Sequence, residues 1–184
     1  MIESKPLPIA GAAIAQTNPY ADHRGLFGRL FCREELGRFL GERDIVNVNF
    51  SRTSKVGAVR GLHFQHPPKT EMKLVRCLRG KVFDVIVDLR EGSPTFLQWH
   101  GEILSGENLR MLVLPEGVAH GFQTMEADSE MLYLHTECYS PAHDSGFRYD
   151  DPRIAIDWPL PVAQLSDKDT NYPLMTEDFK GLQI

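Results

Sequence analysis

Short apolar runs separated by turn residues fill the middle of the chain. Five of these runs predict strands: KLVRCL (73–78), VFDVIVDL (82–89), WHGEIL (99–104), MLVLP (111–115) and EMLYLHTECY (130–139). They are rich in β-branched and aromatic residues, and turns such as Arg79-Gly80 separate them. Strands this short and this closely spaced favour an antiparallel sheet over a parallel sheet with crossover helices.

Helical spacing is confined to one segment. In REELGRFLG (33–41), Leu36, Phe39 and Leu40 recur at positions that share one face of a helix. From Asp150 onward the chain is rich in Asp and Pro, so we expect an ordered tail rather than a second domain. We therefore predict a single domain over residues 1–184, with N-terminal and C-terminal segments that wrap an antiparallel β-barrel or two-sheet jelly roll carrying one or two short helices.

The composition fits a globular protein and narrows the choice of partners. The chain is 42% hydrophobic and 24% charged with a formal net charge of -5, which gives no general reason to bind nucleic acid or an anionic membrane. The N-terminus lacks the basic-then-apolar layout of a secretory signal. Three cysteines without CxxC spacing argue against a disulfide framework and a thiolate zinc site. We expect reduced thiols, no membrane span and a cytoplasmic location.

A polar cluster stands just ahead of the first predicted strand, in RGLHFQ (60–65). Its imidazole, His63, has three interpretations: a satisfied core histidine, a metal ligand or a proton-transfer base. Side chains alternate across a strand, so His63 and Gln65 share one face while Leu62 and Phe64 share the other. The imidazole of His63 can therefore point into the interior of a barrel.

Other polar side chains follow the same alternation. It places Asp84 and Asp88 on one face of the strand 82–89, together with the apolar Val82 and Ile86. Carboxylates in such surroundings lie at a solvated rim or have a partner, because an unpaired buried charge is costly. On the strand 130–139, alternation groups Tyr133 with Met131, His135 and Glu137.

The spacing of the possible ligands bears on whether the chain binds a metal. His63, Glu71 and His120 resemble the layout of metal-binding cupins, whose second motif matches residues 115–120. However, Gln65 stands where those proteins have a second histidine, and an amide is a poor ligand for a divalent metal. We therefore predict no metal.

Seven ordered blocks of the sequence together resemble the dTDP-4-dehydrorhamnose 3,5-epimerase family: DHRG (22–25), RGLHFQ (60–65), KLVRCLRGKVFDVIVDLREGSPTF (73–96), LPEGVAHGF (114–122), EMLYLHTECYSP (130–141), DDP (150–152) and LSDKD (165–169). Matches in this order over so much of the chain are far more specific than any one motif. The resemblance implies a cupin-type jelly roll that works as a homodimer. It also implies epimerisation of a nucleotide-linked 4-keto-6-deoxy sugar without a metal or cofactor.

The resemblance also implies roles for individual residues. His63 is the base and Asp169 orients it, while Lys73 stabilises the enolate oxygen next to the C4 ketone. Tyr133 returns a proton from the opposite face of the sugar. The residues expected to bind the sugar nucleotide are Arg24, Arg60, Asn47, Asn49, Gln65, His120, Tyr139, Asp144 and Lys168, with Tyr139 stacking on the base. We also hypothesise that Asp84 hydrogen-bonds His120 inside the barrel, with a rim salt bridge as the alternative.

Three positions depart from the family pattern. Arg29 stands where the family usually has Glu, and Glu71 replaces a neutral residue just before Lys73. Where the family has Gln, any residue, Asn, this chain has Asn47 and Asn49, and the stretch that follows is one residue longer. These departures leave open whether the carrier is dTDP, CDP or GDP, and whether C3, C5 or both are inverted. The rivals from other classes are a metal-dependent cupin dioxygenase or isomerase and a non-catalytic sugar-binding cupin.

Overall fold

The computed structural model describes residues 1–184 and consists mainly of antiparallel strands. The strands are β1 (Ile2–Pro6), β2 (Ala13–Thr17), β3 (Tyr20–Asp22), β4 (Gly25–Phe27), β5 (Asn47–Thr53), β6 (Val59–Gln65), β7 (Lys73–Arg79), β8 (Lys81–Asp88), β9 (Trp99–Ser105), β10 (Arg110–Leu114), β11 (Val118–Thr124), β12 (Ser129–His135) and β13 (Asp144–Gly146). The two single-turn helices are α1 (Gly37–Leu40) and α2 (Asp167–Thr170). No helix is long and apolar enough to cross a membrane.

Two sheets face each other, as in a jelly roll of the cupin type. The six-stranded sheet has the order β1-β2-β10-β7-β12-β5, and the five-stranded sheet has the order β13-β6-β11-β8-β9. Strands β3 and β4 form a separate hairpin. The predicted fold class is therefore confirmed.

Three apolar clusters follow from the alternation of side chains along these strands. The largest fills the space between the two sheets and contains 13 buried residues, among them Val75, Val82, Ile86 and Met131. A second covers the outer face of the six-stranded sheet and includes Leu36 and Leu40. A third covers the outer face of the five-stranded sheet, where residues of the C-terminal tail, Ile154, Met175 and Leu182, pack against it. Val82 and Ile86 were predicted to share one face of their strand, and both lie in the cluster between the sheets.

The five predicted strands are present as β7, β8, β9, β10 and β12. The prediction for residues 130–139 was too long, because β12 ends at His135, whose cross-strand partner Lys73 is the first residue of β7. The helix predicted over residues 33–41 was also too long, since only Gly37–Leu40 is helical. One turn already buries both Leu36 and Leu40, and Gly41 then leaves the helix with a φ of 57°.

The tail after Asp150 contacts the five-stranded sheet instead of forming a sheet of its own. Backbone bridges join Ala58 to Gln164 and Arg90 to Leu182. Between these bridges, α2 lies against β6. This contact brings the LSDKD segment to the strand that carries His63.

Candidate active site

His63 and Asp169 meet at the end of the barrel interior. The side chain of Ser166 caps α2 by accepting a hydrogen bond from the backbone N–H of Asp169, which fixes that turn of the chain. The Asp169 Oδ1 atom then lies 2.5 Å from His63 Nε2. Burial opposes ionisation of Asp169, but the hydrogen bond and charge of His63 outweigh it, so the pKa of Asp169 lies below its usual value.

The interior faces of β6 and β11 place His63 beside a second histidine, His120. The two are directly opposite each other in the strand pairing. Gly61 permits this close approach, since its φ is +127° and a Cβ there would lie 2.5 Å from the Cα of Gly121. Both imidazoles therefore enter the same part of the barrel.

His120 makes an imidazole–carboxylate pair of its own. The Nε2 atom of His120 lies 2.9 Å and 3.0 Å from the two carboxylate oxygens of Asp84. Both side chains are buried, so the hypothesis of a hydrogen bond inside the barrel is confirmed and the rim salt bridge is excluded. Burial raises the pKa of Asp84 against the opposing effect of His120.

Lys73 and Tyr133 come from the opposite sheet. Lys73 is the first residue of β7 and is buried, with its Nζ atom 3.0 Å from Glu71 Oε1 and 3.5 Å from the carbonyl oxygen of His63. Tyr133 is on β12, and its hydroxyl lies 2.8 Å from the Ser51 hydroxyl. Burial raises the pKa of the Tyr133 phenol, although the Ser51 hydrogen bond opposes the shift, so the phenol stays protonated at neutral pH.

Glu71 joins Lys73 to a third histidine. Its Oε2 atom lies 2.7 Å from the Nδ1 atom of His135, which is directly opposite Lys73 in the pairing of β7 with β12. The His135 ring in turn stacks on Tyr133, with ring centroids 6.3 Å apart. Burial opposes ionisation of Glu71, but His135 and Lys73 outweigh it and lower the pKa of this carboxyl.

These side chains surround two adjoining spaces. The first, here called the inner cavity, has a volume of about 280 Å³ and is lined by Asn49, Phe50, Ser51, Arg60, His63, Lys73, His120, Phe122, Tyr133 and His135. The second, here called the outer groove, has a volume of about 460 Å³ and is lined by Arg52, Thr53, Ser54, Ala58, Val59, Arg60, His63, Gln164, Leu165, Ser166, Lys168 and Asp169. Arg60 and His63 line both spaces. A larger cavity of about 670 Å³ near the N-terminal strand contains none of the predicted site residues.

The donor set of the inner cavity suits proton transfer. Each of its three histidines is bonded to a carboxylate from another segment of the chain: Asp169 on α2, Asp84 on β8, and Glu71 just before β7. No group of three or more His, Cys, Asp or Glu side chains is arranged to hold a metal ion. In particular, the Glu71 carboxylate bonds Lys73 and His135 and does not form a ligand set with His63 and His120.

Comparison with known proteins decides the family. The family profile described as dTDP-4-dehydrorhamnose 3,5-epimerase matches residues 6–177. The chain belongs to this epimerase family. Its members are isomerases, and the predicted resemblance is confirmed.

Individual relatives of this epimerase cover most of its length. The dTDP-4-dehydrorhamnose 3,5-epimerase of Sinorhizobium fredii is 42% identical over 172 residues, which are 93% of this chain and 88% of that protein. The crystal structure of the dTDP-6-deoxy-D-glucose 3,5-epimerase of Legionella pneumophila, in complex with dTDP-4-keto-L-rhamnose, is 40% identical. It superposes with a TM-score of 0.92 and covers 100% of this chain and 99% of its own.

A relative with a narrower activity has the same fold. The crystal structure of a 3′-monoepimerase from Streptomyces bikiniensis, in complex with dTDP-quinovose, is 33% identical and superposes with a TM-score of 0.84. It covers 91% of this chain and 85% of its own.

The structure brings most of the predicted site residues of the epimerase together. All four residues with predicted catalytic roles, and also Arg60, Asn49, His120 and Lys168, line the inner cavity or the outer groove. Arg24 does not, since it lies on the exposed β3–β4 hairpin and pairs with Asp22 at 2.6 Å. Their roles in the reaction stay predictions.

Four further predicted residues hold loops around the site. The Gln65 amide donates to the carbonyls of Lys69 and Cys138 and accepts from the Ser140 N–H, so it is engaged by backbone on three sides. Asp144 contacts two other predicted residues, since its Oδ2 atom lies 2.5 Å from Lys168 Nζ and 3.3 Å from the Tyr139 hydroxyl. Asn47 donates a long hydrogen bond of 3.5 Å to a backbone carbonyl beyond β12.

Sequence reasoning missed the partners Ser51 and Thr53. Ser51 bonds the Tyr133 hydroxyl, and Thr53 accepts from Arg60 Nε at 2.9 Å. Both are on β5, which the apolar pattern did not predict. The alternation of polar residues in NVNFSRT was the available signal, because Asn47, Asn49 and Ser51 fall on one face.

Proposed function

We propose that this epimerase inverts C3 and C5 of a dTDP-linked 4-keto-6-deoxyhexose of the dTDP-4-dehydro-6-deoxyglucose type, in deoxysugar biosynthesis and without a cofactor. The observation that carries the proposal is the placement of a base and an acid on facing walls of the inner cavity. His63 extends from the five-stranded sheet, and Tyr133 and Lys73 extend from the six-stranded sheet. Inversion at carbon needs this arrangement, because the proton is removed from one face and returned to the other.

His63 removes the proton next to the C4 ketone. Its Nε2 atom is held by Asp169, which leaves Nδ1, without a hydrogen-bond partner in the chain, as the nitrogen that accepts the proton. The ionised Asp169 stabilises the imidazolium that forms. Lys73 then places a positive charge at the oxygen of the enolate, and the protonated Tyr133 returns a proton from the other wall.

The outer groove accommodates the nucleotide diphosphate. Arg52, Arg60 and Lys168 line it, and guanidinium and ammonium groups are the natural partners of phosphate oxygens. Arg60 and His63 border both spaces, so the two spaces adjoin. A sugar in the inner cavity can therefore be part of the same molecule as a diphosphate in the outer groove. The Tyr139 ring, 60% exposed beside Lys168, is then available to stack on the base.

The proposed working unit is a homodimer of a single epimerase domain that spans residues 1–184, with the terminal segments wrapped around the barrel. The support for the dimer is a run of exposed apolar side chains on the hairpin and on the edge strand β5: Tyr20, Leu26, Phe27, Val48 and Phe50. Apolar surface of this extent is typical of an interface. A second copy also offers a way for Arg24 to approach a substrate site. The proposed compartment is the cytoplasm, consistent with three free cysteines.

The test is incubation of the purified protein with the dTDP-, CDP- and GDP-linked 4-keto-6-deoxy sugars in deuterium oxide, followed by mass spectrometry and NMR of the sugar. Two deuterium atoms in the dTDP sugar, one at C3 and one at C5, are expected. Incorporation at one carbon only would support the second candidate, a single-carbon epimerase, which the likeness to the 3′-monoepimerase favours. Preference for a CDP or GDP sugar would correct the carrier, and no incorporation into any of them would refute the proposal.

A further inference from the structure

Glu71 is buried beside the inner cavity and has both carboxylate oxygens engaged. One oxygen lies 3.0 Å from the Lys73 ammonium and the other 2.7 Å from the His135 imidazole. The three side chains are between 8% and 14% exposed. Both partners of Glu71 line the inner cavity, so the carboxylate serves groups that face the substrate space and not a distant part of the fold.

We propose that Glu71 is a positioning residue, which keeps Lys73 charged and aimed at the enolate oxygen and fixes His135 with one ring nitrogen facing the substrate. This role rests on the function proposed above, in which Lys73 stabilises the enolate. The part of the site that stabilises the enolate oxygen then consists of three residues and not of Lys73 alone. These residues, Glu71, Lys73 and His135, are here called the Glu71 cluster.

The electrostatic role of Glu71 is to compensate the buried charge of Lys73. A buried ammonium is destabilised by the loss of water and tends to lose its proton unless a carboxylate compensates for that loss. Lys73 is buried, and besides Glu71 its only other partner is the carbonyl oxygen of His63 at 3.5 Å. Glu71 is therefore the one carboxylate bonded to the charge that the proposed mechanism needs.

The geometric role of Glu71 is to hold its two partners in place. Lys73 and His135 are directly opposite each other on β7 and β12, and the carboxylate bridges them. Because Nδ1 of His135 is bonded to Glu71, the free nitrogen is Nε2, which has no partner within the chain. The ring stacks on Tyr133, so Nε2 is held on the same wall as the proposed acid.

The charge balance explains why the cluster has three members. Lys73 and an ionised Glu71 cancel, which weakens the field that a lone ammonium would exert on the enolate oxygen. The hydrogen bond from His135 offsets part of the charge of the Glu71 carboxylate. The Lys73 ammonium therefore exerts more of its field on the enolate oxygen. The titratable and charged groups that surround the Glu71 cluster are Arg60 and His63 on β6 with Asp169, the partner of His63, Asp84 and His120 on β8 and β11, Tyr133 on β12, and the loop pair Lys69 and Glu137.

The experiment is the pH dependence of deuterium incorporation from pH 6 to 10, with the dTDP-4-keto-6-deoxy sugar as substrate. In Glu71→Gln the amide keeps the shape of the side chain and removes its charge. The alkaline limb of the rate profile should move to lower pH by about one unit or more, which is about a ten-fold loss of rate at a pH on that limb. The KM for the sugar nucleotide should change far less than kcat. Glu71→Asp, which keeps the charge, should retain the wild-type limb.

A matched control removes a neighbouring carboxylate that is outside the Glu71 cluster. Glu137 pairs with Lys69 at 3.3 Å and does not line the inner cavity. Glu137→Gln should therefore leave the alkaline limb where it is in the wild type. An equal shift in this variant would show that any nearby charge has the same effect and would overturn the specific role of Glu71.

A double-mutant cycle keeps the proposal falsifiable if Glu71→Gln is poorly folded. When Lys73 is already replaced in Lys73→Met, the additional change Glu71→Gln should have little further effect on exchange, because the two residues act as one unit. Additive losses would overturn the proposal, as would a Glu71→Gln variant with the wild-type profile. A wild-type protein that exchanges no nucleotide sugar would instead refute the proposed function itself, and this role with it.

Discussion

Replacing Tyr133 by Phe separates proton removal from inversion and is the sharpest test of the two-wall arrangement. The change deletes one hydroxyl and leaves the ring to pack against His120 and His135, whose centroids lie 6.1 Å and 6.3 Å from it. His63 is on the other sheet and its partner Asp169 is on α2, so both are untouched. The base can therefore still remove the proton, but the enolate can be reprotonated efficiently only from the face that it left.

The size of the effect follows from the role of the hydroxyl. Loss of a positioned general acid typically costs about 10²–10⁴-fold in rate, so inverted product should form that much more slowly. Deuterium incorporation with retention should fall far less. The structural cost is small, because the one hydrogen bond lost is that to Ser51, which is worth about 1 kcal/mol. For a chain of this length that corresponds to a fall in Tm of about 2–4 °C.

The assay follows deuterium content and stereochemistry together in one reaction. Mass spectrometry counts the deuterium atoms in the sugar, and NMR measures the fraction of inverted product. Tyr149→Phe provides the control, since it deletes a tyrosine hydroxyl outside the inner cavity and should leave the ratio of exchange to inversion unchanged. If Tyr133→Phe keeps the wild-type ratio, Tyr133 is a packing residue. If both processes fall in step, the hydroxyl assists deprotonation and the two-wall assignment is wrong.

Three further substitutions test other parts of the structure. His63→Ala should abolish deuterium incorporation at every carbon, by about 10²–10⁴-fold, while circular dichroism shows an intact fold; turnover at the wild-type rate would rule out this base. Lys73→Met should lower kcat much more than nucleotide affinity, because its charge matters most when the enolate forms; equal losses of both would place Lys73 on the phosphates instead. Asp88→Asn should cost about 2 kcal/mol of unfolding free energy at pH 7, since hydrogen bonds from Arg90, Ser93 and Thr95 outweigh burial and lower the pKa of Asp88 from 3.8 to about 2. A lowered folded-state pKa gives stability that is present above pH 3.8 and is lost as the pH falls through 2, so denaturant melts of the two proteins should converge in acid; a constant difference would contradict this origin.

The sequence predicted the interior of the barrel well where strands have a strict alternation. On β8 the alternation placed Asp84 with Val82 and Ile86, and the structure pairs Asp84 with His120 inside the barrel. The same rule placed Tyr133 and His135 on one face of β12, where they stack. Such positions are predictable because a one-residue slip would turn every side chain of a strand to the wrong face.

Strands at the margins of the sheet were not predictable from apolar pattern. The edge strand β5 has a mainly exposed sequence, NVNFSRT, so it lacks the burial that produces a pattern. In contrast, Ala13, Ile14 and Ala15 of β2 are all buried, and a continuous apolar run does not distinguish a strand from a helix. The position of Arg24 relative to the substrate site escapes the sequence for another reason, since in the proposed homodimer the contacts of the hairpin depend on the second copy.

The three imidazole–carboxylate pairs of the site have different surroundings, and these fit different tasks. The pair of His120 and Asp84 is the most deeply buried, and burial raises the pKa of Asp84. Because ionisation of this carboxyl is opposed, it is less suited than Asp169 to stabilise a charge that develops during a reaction. In the proposed mechanism, we therefore expect His120 to orient the substrate and His63 to take its proton.

His63 is in the opposite situation, because its side chain is 33% exposed while Asp169 is buried and ionised. In the proposed mechanism, the ionised Asp169 stabilises the imidazolium that forms when His63 takes the proton from the sugar. On the facing wall, Lys73 lies between the Glu71 carboxylate and the substrate space. Glu71 is ionised, and its negative charge stabilises the Lys73 ammonium. As the sugar loses its proton, positive charge develops at His63 and negative charge develops at the oxygen near Lys73. In the proposed mechanism, each of the two ionised carboxylates thus stabilises a cation that the reaction needs.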